Sequence, residues 1–352
     1  MTPADDPSTG DVLAPEEIER EAEGRRGIGA RARSLATRAL ISPEISLVIA
    51  IVVLSAVIQS RNPVFLTFDN LILVIKAASP TFVMAAAMTF VLIAGGIDLS
   101  VGSMSALGGV VAAWALTAGG MPIPVAIALS LVACTSIGLV FGMLVSWVRI
   151  PALIVTLGGL YIVRGIVLVS TGGVMIFPLP EAYNHLGQGG LFGIPFLVIY
   201  AVVIGIAAHV LLEHSKYGFH VRAVGGNITA ARAAGINVRR VTMSVFALSA
   251  AGAAVGGMMI SAKTAVGDSS SGQGTELAVI TSVIVGGASL FGAVGSIPGT
   301  ALGVFLIAII TNGLLLMRIS SYWQFAVLGI VVIGAVAIDS LRRRFAWSTR
   351  SG

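Results

Sequence analysis

Apolar windows long enough to cross a bilayer, each almost free of charge, constrain this chain more than any other feature. They recur near 44–60, 70–94, 101–117, 122–147, 151–171, 194–212, 241–262, 276–291, 296–316 and 321–339, which makes ten predicted spans. Only 11% of the 352 residues are charged, and mean hydropathy is +0.98. A soluble domain is about 25% charged, so this chain lacks the polar side chains to cover a globule in water. The expected fold class is an all-α polytopic membrane protein of about ten transmembrane helices, some broken or kinked. Lys76 and Pro80 interrupt the second window, the eighth is short, and Gly119-Gly120-Met121-Pro122 predicts a tight turn between the third and fourth.

Basic residues orient the spans. Residues 1–42 form a polar tail with six Arg and eight acidic residues. Arg149 follows the fourth span, Lys216, Arg222, Arg232, Arg239 and Arg240 lie between the sixth and seventh, and Arg342, Arg343, Arg344 and Arg350 end the chain. Ten spans put all of these on one side, so both termini are expected in the cytoplasm. Lys263 and Arg318 fall opposite, and Lys76 and Arg164 fall within spans. The expected organisation is a cytoplasmic tail over 1–42, a membrane domain over 43–340 with a cytoplasmic loop near 213–240, and a basic cytoplasmic tail over 341–352. The tail lacks the short basic start and small-residue cleavage site of a signal peptide, so the first span is expected to be retained.

Composition also narrows the function. The pI of 9.8 does not point to nucleic acid, because Lys and Arg punctuate apolar spans instead of forming one basic face. Cys134 is the single cysteine and the four His are scattered, so neither an intrachain disulfide nor a metal site is expected. The chain has no GxxxxGK[ST] phosphate cradle and no nucleophile–base or paired-carboxylate arrangement. It is expected to be no enzyme and to bind no cofactor itself; any ATP must be hydrolysed elsewhere.

Gly95-Gly96-Ile97-Asp98-Leu99-Ser100 places a carboxylate between two apolar windows. Gly costs a helix about 1 kcal/mol relative to Ala, and Asp prefers a cap to a helix interior. Such a break at membrane depth requires protein or a water-filled cavity to satisfy its backbone. Asp98 has two readings, a cap that marks a turn or an intramembrane functional group. The other acid near a membrane end is Glu276. The break has an echo: Val91 to Gly96 followed by Val101-Gly102-Ser103 is matched by Val283 to Gly287 followed by Val294-Gly295-Ser296, with Ser289 and Phe291 where the first has Asp98. Paired interruptions of this kind point to the transport path of a repeat-built transporter. Ten spans would make the copies parallel, unlike the usual inverted repeats. Ser289, Phe291, Asn312 and Thr281 are candidate pathway residues in late spans, and each serves helix packing equally well. Gly138/Gly142, Gly252/Gly256, Gly295/Gly299 and Gly299/Gly303 have the spacing that lets helix backbones approach closely.

The interval from Glu213 to Val241 is the longest charged stretch inside the membrane body. Asn227 or Thr229 can cap a short helix over Ala230 to Ala234, closed by Gly235. So short a helix is marginal alone in water, which favours a docking surface over a merely solvated connection.

Segments 95–103 (GGIDLSVGS), 222–240 (RAVGGNITAARAAGINVRR) and 285–303 (VGGASLFGAVGSIPGTALG) resemble the permease subunit of ribose/xylose-type ABC sugar importers, a group within the wider branched-chain amino acid/ribose permease family. The resemblance runs from about Ile45 to Asp339. It implies a ten-span subunit in the bacterial inner membrane that pairs with a second permease copy or a close relative. It further implies a cytoplasmic ABC ATPase carrying ATP and Mg, and an extracytoplasmic binding protein that delivers a monosaccharide such as ribose, xylose or galactose. By the same resemblance, Gly225, Gly226, Asn227, Ala230, Ala231, Gly235 and Ile236 contact the ATPase, while Gly95, Gly96, Asp98, Leu99 and Ser100 form the intramembrane motif. The N-terminal tail has no counterpart. Two alternatives stay open: an ABC permease for another small polar solute, such as a branched-chain amino acid, and an ion-coupled secondary transporter that works without an ATPase.

Overall fold

The computed structural model describes residues 43–337 except 321, 324, 325, 328, 332 and 335. The predicted tails, and part of the tenth predicted span, lie outside the described residues; those described within 322–337 are helical. From Leu47 of the first helix onward, the elements discussed below belong to one compact unit.

In order, the helices are α1 (Pro43–Arg61), α2 (Phe68–Ile93), α3 (Val101–Leu116), α4 (Ile123–Met143) continued by a π turn (Leu144–Val148), α5 (Ala152–Thr171) and α6 (Glu181–Gln188). A two-residue hairpin, β1 (Gly190–Leu191) and β2 (Ile194–Pro195), leads to α7 (Phe196–Glu213). There follow α8 (Lys216–Gly226), α9 (Ile228–Ala233), α10 (Val238–Thr264), α11 (Thr275–Val285) and α12 (Ile297–Leu316).

Seven of these are long and apolar enough to cross a membrane. Two predicted spans are not, because α3 has 16 residues and α11 has 11. At 1.5 Å per residue they reach only about 24 and 16 Å, against a hydrocarbon core of about 30 Å. The window 276–291 overran its helix because Gly286-Gly287 ends α11 early. Helix length therefore does not by itself deliver ten crossings. Pro80 leaves α2 assigned as one helix from Phe68 to Ile93.

Helix α10 is the centre of the bundle and packs on α2, α3 and α4. Its most apolar window is 61% buried, against 17% for α1, so α1 is peripheral. Peripheral helices turn large apolar side chains outward, such as Val52, Ile162, Val169 and Val203, as a lipid solvent requires. Small residues let the central helices touch. A Cβ on Gly138 or Gly142 would run into α10 at Phe246–Ala250 and Met243, and one on Gly252 or Gly256 would meet α2 at Ala87 and Met84. Gly299 and Gly303 lie against the backbone of Gly286 and Ser282 on the α11 side, while Gly295 lies against Ile93 and Ala288. All of the four-spaced glycine pairs thus sit at close contacts. At the C-terminal end of α10, Tyr183 of α6 is buried and its hydroxyl meets Ser261 Oγ at 2.7 Å and the Met258 carbonyl at 3.1 Å.

Candidate functional site: two helix breaks and the loop that meets them

The echo in sequence is also an echo in backbone. Helix α2 ends with Gly95 N–H donating to the Leu92 carbonyl and Gly96 N–H to the Val91 carbonyl, both at 2.9 Å, with Gly95 at φ +82°. Helix α11 ends with Gly287 N–H donating to Ile284 at 2.9 Å and Ala288 N–H to Val283 at 3.1 Å, with Gly287 at φ +93°. Both are Schellman closures, which need a left-handed residue and so select glycine there. The two breaks touch: Ala293 N–H donates to the Ile93 carbonyl at 2.8 Å. One turn back, the Thr89 and Thr300 hydroxyls meet at 2.8 Å and tie α2 to α12.

The predicted loop closes on this junction. It holds two helices, not one. Ser215 caps α8 by accepting from Gly218 N–H at 3.1 Å, and Asn227 caps α9 by accepting from Ala230 N–H at 3.0 Å. Gly235 follows α9 at φ +81°. Gly225, in the last turn of α8, has no room for a side chain: a Cβ would overlap the Ile93 carbonyl and lie 2.8 Å from Ala293 N. Gly292 in turn packs on the Gly225 backbone. One residue of the loop thus touches both breaks. Arg222 pairs with Glu213 and brings Nη1 to 3.5 Å from the Ala293 carbonyl. Tyr217 anchors the start of α8, its ring 6.1 Å from that of Phe90 and its hydroxyl accepting from Ser244 Oγ at 3.0 Å. Burial pushes the Tyr217 hydroxyl above the usual phenol pKa, and the Ser244 hydrogen bond opposes that shift.

Within the loop, Gly226, Asn227, Ala230 and Gly235 are exposed, Ile236 is half-buried and Ala231 is buried at 3%. Ala231 therefore belongs to the chain's own core; Thr229 and Ala233 are exposed on α9, and so are Ile228 and Arg232, which line a cavity beside the first break.

Asp98 is 1% exposed. It is not the residue that caps α3, since Ser100 occupies that position and makes no side-chain cap bond. Instead Asp98 Oδ1 accepts from Ser100 N–H at 2.9 Å and from Ser100 Oγ at 2.5 Å, an Asx turn that shapes the approach to α3. Its other oxygen accepts from Ser249 Oγ of α10 at 2.7 Å. Among the described residues, no cation lies within ion-pair distance of it. Leu99 is half-buried and Ser100 buried beside it. Thr156 of α5 donates to the Ile97 carbonyl at 3.1 Å, so the break is held from two sides. Glu276 sits over Gly102, in the first turn of α3.

The remaining candidates separate. Ser289 is buried in the second break, where its N–H donates to the Val294 carbonyl, and Phe291 is 61% exposed. Asn312 stands apart and exchanges two 3.0 Å amide hydrogen bonds with Asn70 of α2. Thr281 is buried and donates to the Leu277 carbonyl one turn back. Ser249, Tyr217 and Arg164 were not legible as site residues. Arg164 Nη1 donates to the Ser269 and Ser271 carbonyls, each at 2.8 Å, and so holds the segment before α11.

Comparison of the sequence with known proteins points to one family. Residues 70–336 match the family described as branched-chain amino acid transport system / permease component. The ribose import permease protein RbsC of Escherichia coli K12 is 34% identical over 311 residues, 87% of this chain and 96% of that protein. The xylose transport system permease protein XylH of Haemophilus influenzae is 31% identical over 364 aligned residues, 85% of this chain and 96% of XylH. The L-arabinose ABC transporter permease protein AraH of Azospirillum brasilense is 33% identical over 297 residues, 84% of this chain and 87% of AraH. No solved structure matches. With the family match covering most of its length and these relatives aligned nearly end to end, this multi-pass membrane protein belongs to the branched-chain amino acid transport system / permease component family.

Proposed function

We propose that this chain is the membrane-spanning subunit of an ATP-driven importer and forms the path for a monosaccharide such as ribose or xylose. ATP and Mg are held by a separate cytoplasmic ATPase, an extracytoplasmic binding protein delivers the sugar, and a second permease copy or close relative completes the pore. The relatives' names support the substrate class. The observation that carries the mechanism is Gly225, whose backbone lies against the Ile93 carbonyl and the Ala293 amide. A partner pushing on α8–α9 moves both helix breaks through that one contact, because close-packed backbone cannot absorb the displacement. Ala233 on the exposed face of α9 tests it. Ala233→Glu should leave membrane abundance normal and cut ATPase co-purification by at least about tenfold, on the order of 1.4 kcal/mol of docking energy. Undiminished co-purification and sugar-stimulated ATP hydrolysis would show that this face docks nothing.

The same reading places both termini and the α8–α9 loop in the cytoplasm of a bacterial inner membrane. Cysteine labelling checks this in a Cys134→Ser background. Gly226→Cys is suitable because its Cβ would lie 3.6 Å from Ala293 Cβ, an ordinary contact. A cysteine at Gly187 would overlap the Ala262–Lys263 backbone, so Leu191, 51% exposed in the hairpin, is the better opposite probe. An impermeant reagent applied to intact cells should label Leu191→Cys and spare Gly226→Cys; the reverse pattern, or labelling of both, overturns the orientation.

A further inference from the structure

A cavity of about 290 Å³ lies between the first helix break, the end of α4 and the α8–α9 loop. Its walls are largely apolar, including Val145, Ile150, Val224 and Phe246, yet Arg149 and Arg232 both line it. Neither arginine is in an ion pair among the described residues. Two guanidinium groups in one cavity, neither in an ion pair, make an anion that accepts from both the matching occupant. The backbone is unusual at the same place. Residues 144–148 form a π turn, a feature often found at functional sites, and Arg149 is held at φ +66°, where a non-glycine residue is strained.

The surroundings say what kind of molecule supplies the acceptor. Trp147 is 60% exposed on the same turn and Arg239 lies 5.3 Å over its ring, the amphipathic pairing found at the headgroup level of a membrane. The occupant must therefore join an anionic, acceptor-rich head to a hydrocarbon body. We propose that this cavity binds the phosphate headgroup of an anionic phospholipid from the surrounding leaflet, with Arg149 and Arg232 on the phosphate and the first acyl segments against Val145 and Phe246. The site adjoins Gly95, Gly96 and Val224, so an occupied cavity props the first break against the loop.

The test uses the full-length permease in nanodiscs of phosphatidylcholine alone and of an equal mixture with phosphatidylglycerol. Native mass spectrometry reads retained lipid, and thermal unfolding reads protection. The wild type should retain phosphatidylglycerol selectively and unfold at a higher temperature in the mixture. Arg149→Asn keeps a residue that tolerates the left-handed backbone while removing the charge. It should retain about fivefold less phosphatidylglycerol, and Arg149→Asn with Arg232→Gln about 25-fold less, at the strength expected per basic residue. Arg240→Gln, outside the cavity, should retain it as the wild type does. Equal retention by the wild type and the double variant overturns the site, as does an equal loss in Arg240→Gln. Protection of detergent-solubilised protein by inorganic phosphate alone, matching that by phosphatidylglycerol, would make the ligand a free anion instead of a lipid. Loss of ATPase co-purification with lipid retention unchanged would assign the cavity to an acidic side chain of that partner.

Discussion

Gly225→Ala should abolish most sugar uptake, whereas Gly226→Ala one residue on should leave it intact. The two glycines look alike in sequence and differ in what a methyl group would meet. At Gly225 the new Cβ overlaps the Ile93 carbonyl and stands 2.8 Å from Ala293 N, both of them backbone atoms fixed by the Schellman closures and by the Ala293–Ile93 hydrogen bond. Nothing there is the end of a flexible side chain, so α8 must retreat from the junction. Overpacking in a well-packed core costs about 1–3 kcal/mol, and here the clash is with backbone. At Gly226 the new Cβ finds only an ordinary 3.6 Å contact, which should change stability by no more than about 0.5 kcal/mol. Uptake, ATPase co-purification and unfolding temperature should be measured together for both variants. Gly225→Ala is expected to keep some bound ATPase while losing transport, because the exposed face of α9 is untouched. Wild-type uptake by Gly225→Ala would remove the loop-to-break contact from the mechanism.

Such a pair shows where sequence reading reaches its limit. The breaks were legible because a left-handed closure is a local demand that glycine meets, so Gly95 and Gly287 announce themselves. A cap at Asn227 or Thr229 was legible for the same reason, since a cap's acceptor and donor lie three residues apart, and the structure selects Asn227. The four-spaced glycines marked real contacts, although nothing in their spacing named the partner helix. What failed was long-range. Ser249 meets Asp98 across 151 positions, and an apolar span with a serine carries no sign of that pairing. Ala231 reads like its neighbours, because a helix face rich in alanine on both sides does not say which side is inward. Hydropathy windows do not measure helix length, which is why 101–117 and 276–291 read as full-length spans where the helices hold 16 and 11 residues. Asn312 shows that a polar residue in a late span can be spent on holding helices together, here through its reciprocal pair with Asn70.

Asp98→Leu should be the most destabilising single substitution in the first break, and Asp98→Asn should be nearly silent. Leucine removes three accepted hydrogen bonds at once and leaves the Ser249 hydroxyl, the Ser100 hydroxyl and the Ser100 N–H buried without their acceptor. Each orphaned group costs about 1–3 kcal/mol, and a total of several kcal/mol is a large share of the 5–15 kcal/mol that typically holds a protein folded. Asparagine keeps a carbonyl oxygen for the two Ser100 donors. Its amide can donate to Ser249 Oγ, since a hydroxyl accepts as readily as it donates. Only the charge is lost, and no cation among the described residues depends on that charge. Asp98→Asn should therefore stay within about 1 kcal/mol of the wild type and keep most of its uptake. Ser249→Ala, which strips one donor from the carboxylate, should fall between the two at about 1–3 kcal/mol. Unfolding of the purified permease gives the order, and uptake at matched protein level gives the function. A stably folded Asp98→Asn permease that no longer transports would mean that the carboxylate acts in the pathway through its charge, and that its hydrogen bonds to Ser100 and Ser249 are the lesser part of its role.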